Sequence, residues 1–367
     1  MPRAWWPFAV PLLLAGCLGS SSPQLDDRTT APLLPGSALE LVAYLDHPPG
    51  NVAVSRTGRV FVSLHPQGTP RVKVVELVGG RPVPYPDADT QERFNSVLAL
   101  RIDQRGRLWL LDFASYGWGQ PRIIAVDLGS NAIVEEYDFP SDAAGFLSMV
   151  NDFQVDPAGE KIYIAETNPI RQHPALIVYD PVAQTSRRLL EGHHSVQAMH
   201  YVTHAPGREI KVLGLFPVRI GVDSIALDAR GEWLYYGPFT GDRLYRVRTR
   251  DLNDPALAPD ALAARVEDFG PKTLSDGLSM DLQDTVYVTD PEHSAVLTLG
   301  PDRTLRTLVK DPRLRWPDGL SFGPDGWLYV TCSALHHVMF RGAAAVRSHA
   351  PYQVFRFKPG PEGVPGH

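Results

Sequence analysis

The chain has 367 residues, with 35 lysines and arginines against 41 aspartates and glutamates, for a formal net charge of −6. This acidic balance argues against nucleic acid as a partner and against electrostatic docking on anionic lipid, because both favour an excess of positive charge. With only two cysteines and 44% hydrophobic residues, the composition is that of a globular protein that depends on its core rather than on disulfides.

The N-terminus predicts export and a lipid anchor. Arg3 precedes an apolar stretch over 4–14, and the sequence LAGC occupies 14–17. A basic residue, an apolar segment and small residues before a cleavage point are typical of a secretory signal. Small residues before a cysteine also resemble the lipobox of bacterial lipoproteins. The resemblance implies removal of residues 1–16, lipidation of Cys17 and a membrane-anchored protein in the periplasm, on the outer membrane or at the cell surface. An ordinary signal peptide or an anchor helix with an incidental cysteine is the alternative.

Residues 17–37 are predicted to be a flexible tether that carries the lipidated Cys17 at its start. They are rich in Gly, Ser, Pro and charged residues, a composition that cannot bury enough surface to fold. With Cys17 lipidated, Cys332 has no cysteine to pair with. Cys332 lies in an apolar run, so we predict a buried, unreactive thiol.

A sequence pattern of about fifteen residues then recurs six times: a small or acidic residue, mixed apolar residues, a Gly or Asp turn, and an apolar run. The turns are spaced by 48, 53, 72, 53 and 42 residues, a range typical of propeller blades. The turn residues are Gly58, Gly106, Gly159, Gly231, Asp284 and Gly326.

The apolar runs predict strands that are buried on both faces. Val60-Phe61-Val62 and Val286-Tyr287-Val288 are β-branched or aromatic at successive positions, and blades packed around an axis bury both faces in this way. A more polar hairpin follows each unit, giving about four strands per blade. Strand-like segments at 39–46 and 352–359 would complete one shared blade. We therefore predict an all-β, six-bladed β-propeller over 38–360, closed between N- and C-terminal strands, and a disordered tail over 361–367. Two separate β domains would leave open edges.

Six equivalent positions, each eight residues before a turn, should meet at one mouth of the central channel. Four of them carry carboxylate or amide oxygens, which suit Ca²⁺ or Mg²⁺. If no ion is bound, the carboxylates are either protonated or splayed into water. An Asp-Gly pair at such a position is also a common turn. The six are Gly50, Leu98, Asn151, Asp223, Asp276 and Asp318, and the predicted metal ligands are the last four.

Aromatic and histidine residues in loops are further candidates for contacting a ligand. Phe113, Tyr116 and Trp118 follow the second repeat, where they either wall a pocket by stacking or cap the loop. Of the two histidine pairs, His194 and His337 can reach the mouth as single members. Adjacent strand residues point to opposite faces, so a pair cannot bind one ion from regular structure. Loop histidines without a role in a site are the alternative.

Two segments, 166–196 and 221–247, resemble the major royal jelly protein and Yellow family, and the likeness extends over about 38–358. It is carried by the VYD sequence at 178–180, RRL at 187–189, HSV at 194–196, and the runs at 234–238 and 244–247. The resemblance implies a six-bladed propeller, secretion, and binding of small aromatic or amine ligands at the channel mouth. It implies catalysis for only some members.

A wider resemblance reaches the gluconolactonases and senescence-marker lactonases, which share the six-bladed ring. This resemblance implies that the metal-ligand positions of those enzymes correspond to Asn151, Asp223 and Asp276. The chain departs from them at the first blade, where Gly50-Asn51 stands in place of a metal-binding glutamate. Asn51 would be a neutral and weaker ligand, and this puts lactone hydrolysis in doubt.

Three functions remain open from the sequence. The first is a monomeric, lipid-anchored propeller that binds a small molecule, with Asn51 among the ligand-contacting residues. The second is a hydrolase or isomerase that depends on a divalent metal. The third is a scaffold that binds another envelope protein through its loops. The chain has no G-x-S-x-G, phosphate-binding loop, G-x-G-x-x-G, H-E-x-x-H or C-x-x-C motif, and these motifs mark other catalytic classes.

Overall fold

The computed structural model describes residues 25–367, so the predicted signal sequence and the predicted lipidation site Cys17 lie outside the described residues. Six four-stranded antiparallel sheets surround a central channel as blades. The predicted all-β, six-bladed propeller is confirmed.

The first strand, β1 (Glu40–Leu45), belongs to the sixth blade. Blade one contains β2 (Pro49–Val54), β3 (Val60–Leu64), β4 (Val74–Val78) and β5 (Arg81–Pro84). Blade two contains β6 (Val97–Ile102), β7 (Arg107–Asp112), β8 (Arg122–Asp127) and β9 (Ile133–Asp138). Blade three contains β10 (Val150–Val155), β11 (Ile162–Glu166), β12 (Ala175–Asp180) and β13 (Thr185–Leu189).

Between blades three and four lie two small hairpins, β14 (His204–Ala205) with β15 (Arg208–Glu209) and β16 (Lys211–Val212) with β17 (Phe216–Pro217). Blade four contains β18 (Val222–Leu227), β19 (Trp233–Pro238), β20 (Arg243–Arg248) and β21 (Glu267–Pro271). Blade five contains β22 (Leu278–Met280), β23 (Val286–Asp290), β24 (Ala295–Leu299) and β25 (Leu305–Lys310). Blade six contains β26 (Pro317–Phe322), β27 (Leu328–Cys332), β28 (Tyr352–Phe357) and β1.

The ring closes through the pairing of β1 with β28, as predicted. The two strands are antiparallel, with Glu40 opposite Arg356 and Leu45 opposite Tyr352. This places the N-terminal strand at the outer edge of a sheet whose other three strands come from the C-terminal part of the chain. Closure leaves the ring without an open blade at its seam.

Alternating residues of the second strand of a blade pack against different neighbours. In β7, Leu108 and Leu110 join a core cluster with Phe61 of blade one, whereas Trp109 and Leu111 join one with Phe153 of blade three. The double-sided apolar pattern of the sequence therefore reflects burial between two blades.

The repeated turns take the conformation that their residues favour. Gly58 has φ +82° and the non-glycine Asp284 has φ +62°, and the other turn glycines share this left-handed region. Glycine enters it freely, and aspartate tolerates it better than most residues. The turn therefore reverses the chain at the end of each innermost strand.

Helices are short and lie in connecting segments. No helix among residues 25–367 is both long and apolar enough to cross a membrane. The helices are α1 (Ala114–Gly117), α2 (Thr249–Asn253), α3 (Pro259–Ala263), α4 (Leu335–Val338) and α5 (Gly342–His349).

The described part of the predicted tether, residues 25–37, packs against the ring, which corrects the prediction of a flexible segment there. The Arg28 guanidinium lies 2.8 Å from the Asp242 carboxylate. Further along, the amide of Leu34 donates to the carbonyl of Leu308 in β25 at 2.8 Å. The segment is held because its backbone finds partners along the outer strand of blade five, despite its polar composition.

Residues 361–367, predicted to be a disordered tail, instead close the end of the channel at which the innermost strands finish. The amide of Ile102 donates to the carbonyl of Gly366 at 3.1 Å, and that of Phe322 donates to the carbonyl of His367 at 2.9 Å. A backbone bridge joins Gly363 to Asp281. Innermost strands have no sheet neighbour on the channel side, so the tail supplies partners for backbone groups left open there.

Candidate functional site

The mouth is the end of the channel at which the innermost strands begin, and irregular strand pairing shapes it. In five blades the pairing of the innermost strand shifts register at this end, for example between Val222 and Ser224 of β18. Such an irregularity adds a residue and redirects side chains. In the fifth blade Asp276 precedes β22, and its amide donates to the Thr289 hydroxyl at 3.1 Å. The residues within the shifts include Asn51, Leu98, Asn151, Asp152, Asp223 and Asp318.

The polar residues of this set, together with Asp276, form the floor of a cavity of about 530 Å³. The structure therefore brings together all four predicted metal ligands and the predicted ligand-contacting Asn51. Asp152, which the sequence analysis did not single out, joins them. The polar residues of the floor are Asn51, Asn151, Asp152, Asp223, Asp276 and Asp318.

The walls of the cavity are apolar and aromatic. Trp316 stacks on Phe239 with ring centroids 5.7 Å apart and planes 12° from parallel. The indole nitrogen of Trp316 donates to Asp276, so one aromatic residue contributes to both wall and floor. The other apolar wall residues include Leu98, Met149, Val218, Ile220, Leu335 and Met339.

A buried ion pair supports one side of the floor. Arg101, in β6, has no exposed surface, and its guanidinium lies 2.9 Å from a carboxylate oxygen of Asp152. The same guanidinium donates to the side-chain oxygen of Asn51 at 2.6 Å, and the Asn51 amide nitrogen donates to Asp152 at 3.4 Å. An arginine within an otherwise apolar repeat was the available sequence signal. Asn51, the first-blade member of the floor, thus stands in contact with a fixed positive charge.

The carboxyl groups of the floor hold protons more tightly than usual. Burial is the main cause that raises the pKa of Asp276 to about 7, although its hydrogen bond from Trp316 opposes the shift. Burial, followed by the charge of neighbouring carboxylates, raises the pKa values of Asp223 and Asp318 well above normal. Burial raises the pKa of Asp152 to about 6 against the opposing effect of Arg101. A cation bound at the floor would therefore favour ionisation of these carboxyl groups and would be attracted by them.

The side chains of Asn151 and Lys272 lie near Asp223 and affect the charge balance of the floor. The Asn151 amide nitrogen contacts a carboxylate oxygen of Asp223, while the Asn151 side-chain oxygen is buried without a hydrogen-bond partner in the described structure. The Lys272 ammonium is fully buried and donates to the carbonyls of Pro238 and Gly241 at 2.8 Å each. Burial lowers the pKa of Lys272 to about 7, with nearby carboxylates opposing the shift.

The oxygen atoms of the floor suit a hard cation in their chemistry. Within residues 25–367, however, no group of three or more His, Cys, Asp or Glu side chains has an arrangement that could hold a metal ion. Asn51 is engaged by Arg101 and Asp152 rather than left free. The metal site at Asn151, Asp223, Asp276 and Asp318 therefore stays a prediction.

Four of the other predicted ligand-contacting residues lie apart from this cavity. Phe113 is buried in the core between blades two and three, and Trp118, 71% exposed, packs edge-on against Phe146. The side chain of Tyr116 lies outside the described part of the structure. His194 contacts the adjacent His193 and also Tyr245, which lies on blade four. His337 lines a separate cavity of about 500 Å³. The paths of these loops, which a repeat pattern does not specify, carry the side chains away.

A long insertion over the mouth was also missed by the sequence analysis. The segment between β13 and β18 contains both small hairpins, and its residues Val212, Pro217 and Arg219 line the cavity. The sequence signal was the 72-residue interval between the third and fourth turns, against 42 to 53 elsewhere.

Residues 95–339 match the sequence profile described as "Major royal jelly protein". The chain belongs to the major royal jelly protein family. Similar proteins include Major royal jelly protein 7 of Apis mellifera, 25% identical over 47% of this chain, and Major royal jelly protein 3 of the same species, 26% identical over 47%. The alignments span 40% and 33% of those relatives, so the chain covers less than half of their length.

Solved propellers share the fold at low sequence identity. Regucalcin from Agrobacterium tumefaciens, a calcium-binding protein, aligns with a TM-score of 0.58 and 15% identity, covering 92% of this chain and 98% of its own. A gluconolactonase from Xanthomonas campestris aligns with a TM-score of 0.55 and 12% identity, covering 87% and 88%. At these identities the similarity establishes the ring alone.

Proposed function

We propose that this family member is an exported, lipid-anchored binding protein for a small organic amine with an apolar, aromatic body. The observation that carries the proposal is the cavity at the mouth, which combines aromatic walls with a floor of crowded carboxyl groups. An ammonium group would meet the carboxylates, while the body of the ligand would lie against Trp316 and Phe239.

The size and chemistry of the cavity support a ligand of this kind. A volume of about 530 Å³ lies within the range of small-molecule sites. Its paired aromatic rings offer flat surfaces for stacking, and a cation beside an aromatic face gains further attraction.

The electrostatics favour a cation over a neutral or anionic ligand. Burial raises the pKa values of Asp223, Asp276 and Asp318, and neighbouring carboxylates raise them further. Ionising all three together is therefore costly. A bound ammonium offsets that repulsion and lowers those pKa values. Affinity for an amine should therefore increase between pH 5 and pH 8, as the floor ionises while the amine keeps its charge.

The proposed export and membrane anchoring rest on the N-terminal sequence, which lies outside the described residues. Small residues before Cys17 and the apolar segment before them support export and lipidation. Mass spectrometry of the protein purified from its membrane tests this directly. A diacylglyceryl group on Cys17 is expected, and an unmodified cysteine would contradict the anchor.

Ligand binding is tested by calorimetric titration of three indoles that differ in one group. Tryptamine, which is cationic, is expected to bind at least tenfold more tightly at pH 8 than the neutral tryptophol, and indole-3-acetate should bind weakest. The Asp276→Asn variant should reduce the preference for tryptamine over tryptophol. Asp142→Asn, which changes an exposed carboxyl group away from the cavity floor, is the matched control and should leave the preference intact. Equal affinity for tryptamine and tryptophol would contradict an amine site.

Calcium is a second candidate occupant, favoured by the buried side-chain oxygen of Asn151, which has no hydrogen-bond partner in the described part of the chain. If calcium shares the floor, titration should show saturable binding, and the ion should weaken tryptamine binding by competition. Asn151→Ala should then weaken calcium binding more than tryptamine binding. The predicted metal-dependent hydrolase or isomerase needs the same floor, so a chain that binds neither calcium nor magnesium would remove that alternative as well.

A further inference from the structure

Large apolar side chains are exposed around the cavity mouth. Leu213, Leu215 and Phe216, at the tip of the β16–β17 hairpin, are 85%, 72% and 63% exposed. Ile170 and Phe340 are 57% and 56% exposed. We call these five residues, with Val212, the mouth patch.

The mouth patch is continuous with the cavity walls. Ile170, Val212 and Phe340 each line the cavity while also being exposed to the outside. Exposed basic residues, Arg171 and Arg341, follow Ile170 and Phe340 in the chain. Apolar tips bordered by long basic side chains are suited to an interface between water and hydrocarbon, because those side chains can extend toward the polar side.

The N-terminal segment reaches the ring on this same face. Leu25 packs against a core cluster that extends over several blades and includes Tyr201 and Ala205 of the mouth insertion. Arg28 binds Asp242, in the loop after β19, and the carbonyl of Lys272, just before Asp276. Loops after the second strand of a blade, and connections to the next blade, all lie at the mouth end because strand direction alternates.

The length of chain before Leu25 limits how far this face can be from a membrane. Seven residues, 18–24, separate the predicted lipid-bearing Cys17 from Leu25. Even a fully extended chain covers at most about 29 Å over that interval. The anchor therefore favours presentation of the mouth face, rather than the tail-closed face, to the bilayer.

We propose that the mouth patch docks on the lipid bilayer surface, with the hairpin tip inserted among the acyl chains and the cavity opening at the membrane. Exposed leucine and phenylalanine side chains lose contact with water when they are buried in an apolar phase, and this transfer is favourable. Insertion of this kind does not require anionic lipid, which agrees with the net charge of −6. The anchor-length argument rests on lipidation of Cys17, whereas the exposure of the patch does not.

Site-specific fluorescence in the full chain tests this orientation. The Leu215→Cys variant is labelled with an environment-sensitive nitrobenzoxadiazole dye and added to neutral phosphatidylcholine vesicles. The matched control is Val182→Cys, because Val182 is 74% exposed and lies in the turn between β12 and β13 on the opposite face. Cys332 is buried and the proposed lipidation consumes the thiol of Cys17, so the unsubstituted chain should give little background labelling.

Vesicles are expected to increase the emission at position 215 at least twofold and to shift it to shorter wavelength. Nitroxide-labelled lipid should quench it, and 1 M NaCl should leave it unchanged. The control at 182 should show none of these changes, even though the same anchor holds both variants. Both substitutions are at exposed positions, and circular dichroism confirms that each variant is folded.

Two results would overturn the proposal. One is equal, water-like emission at both sites in the presence of vesicles. The other is a shift at 215 that appears without vesicles and grows with protein concentration, since this would assign the patch to a second copy of the chain. Tryptamine binding, measured without vesicles, is independent of either result and so separates this proposal from that of the amine site.

Discussion

The two ends of the central channel are formed by the same six innermost strands, yet they differ in almost every physical respect. At the closed end, the tail satisfies backbone groups of several blades, including Ile102 and Phe322. At the mouth, irregular pairing directs carboxyl groups toward one another, and the Asn151 side-chain oxygen has no hydrogen-bond partner among residues 25–367. One end is bridged by backbone hydrogen bonds to the tail, and the other gathers buried carboxyl groups.

The difference indicates that the closed end of the channel contributes mainly to stability, whereas the mouth is the end suited to binding. Unsatisfied and like-charged buried groups cost folding free energy, and they persist where the surrounding structure outweighs that cost. A ring with all its blades paired provides such surroundings. The mouth is then the end where a bound cation changes the energy most, and the closed end is where a substitution should act through stability alone.

The largest effect is expected from breaking the ion pair under the mouth. Arg101→Met should lower the free energy of unfolding by about 3–5 kcal/mol at pH 7, because Asp152 would stay buried among other carboxyl groups with no counter-charge. Urea denaturation of the purified chain measures this loss. The double variant with Asp152→Asn should recover a large part of it.

Arg105→Met is the matched control for this prediction. Arg105 pairs with Glu160 at 3.6 Å, but both side chains are about half exposed, and exposed pairs contribute about 0–1 kcal/mol. If both variants lost the same free energy of unfolding, the prediction that the buried Arg101–Asp152 pair contributes more than the exposed Arg105–Glu160 pair would be wrong.

A smaller, pH-dependent effect is expected from the floor itself. Because the pKa of Asp276 is raised to about 7, its stabilising contribution is complete below its ordinary value near pH 4 and is lost as pH rises through 7. Asp276→Asn should therefore be more stable than the natural chain by about 2 kcal/mol at pH 8, after screening by water in the cavity, and should show no gain at pH 4. Thermal denaturation across pH 4–8 measures the difference, and a gain independent of pH would contradict it.

The smallest effect is expected at the closed end. A side chain on Gly363 would place its Cβ 2.1 Å from the Phe322 ring, so Gly363→Ala should displace the tail at a cost of about 1–2 kcal/mol. Hydrogen exchange should become faster at the amides of Ile102 and Phe322, which donate to the tail. Tryptamine affinity should not change. Gly129→Ala, at an exposed turn without such a clash, should leave both exchange rates as they are.

The ring and the polar positions of its mouth were predictable because both depend on a local pattern repeated once per blade. Each turn residue, a glycine in five blades and Asp284 in the other, marks the end of an innermost strand, and counting back from it locates Asn151, Asp223, Asp276 and Asp318. A single strand would not have carried this information, since equivalence between blades is what makes the positions converge.

The parts that could not be predicted depend on how separate segments meet. The pairing of Arg101 with Asp152 crosses from blade two to blade three, and the stacking of Trp316 on Phe239 joins loops 77 residues apart. No local period encodes either contact. The tail was misjudged for a related reason, because a short segment rich in Gly and Pro carries no signal of the open strand edges that it meets.

The seam of the ring also determines the order in which the molecule can be completed. Glu40 pairs with Arg356, so β1 must wait for almost the entire chain before it gains its sheet neighbour. Contacts this distant in sequence slow folding, and unpaired strand edges favour aggregation during the delay. If the predicted signal sequence directs export, the N-terminal part of the chain crosses the membrane first, and β1 stays unpaired longest.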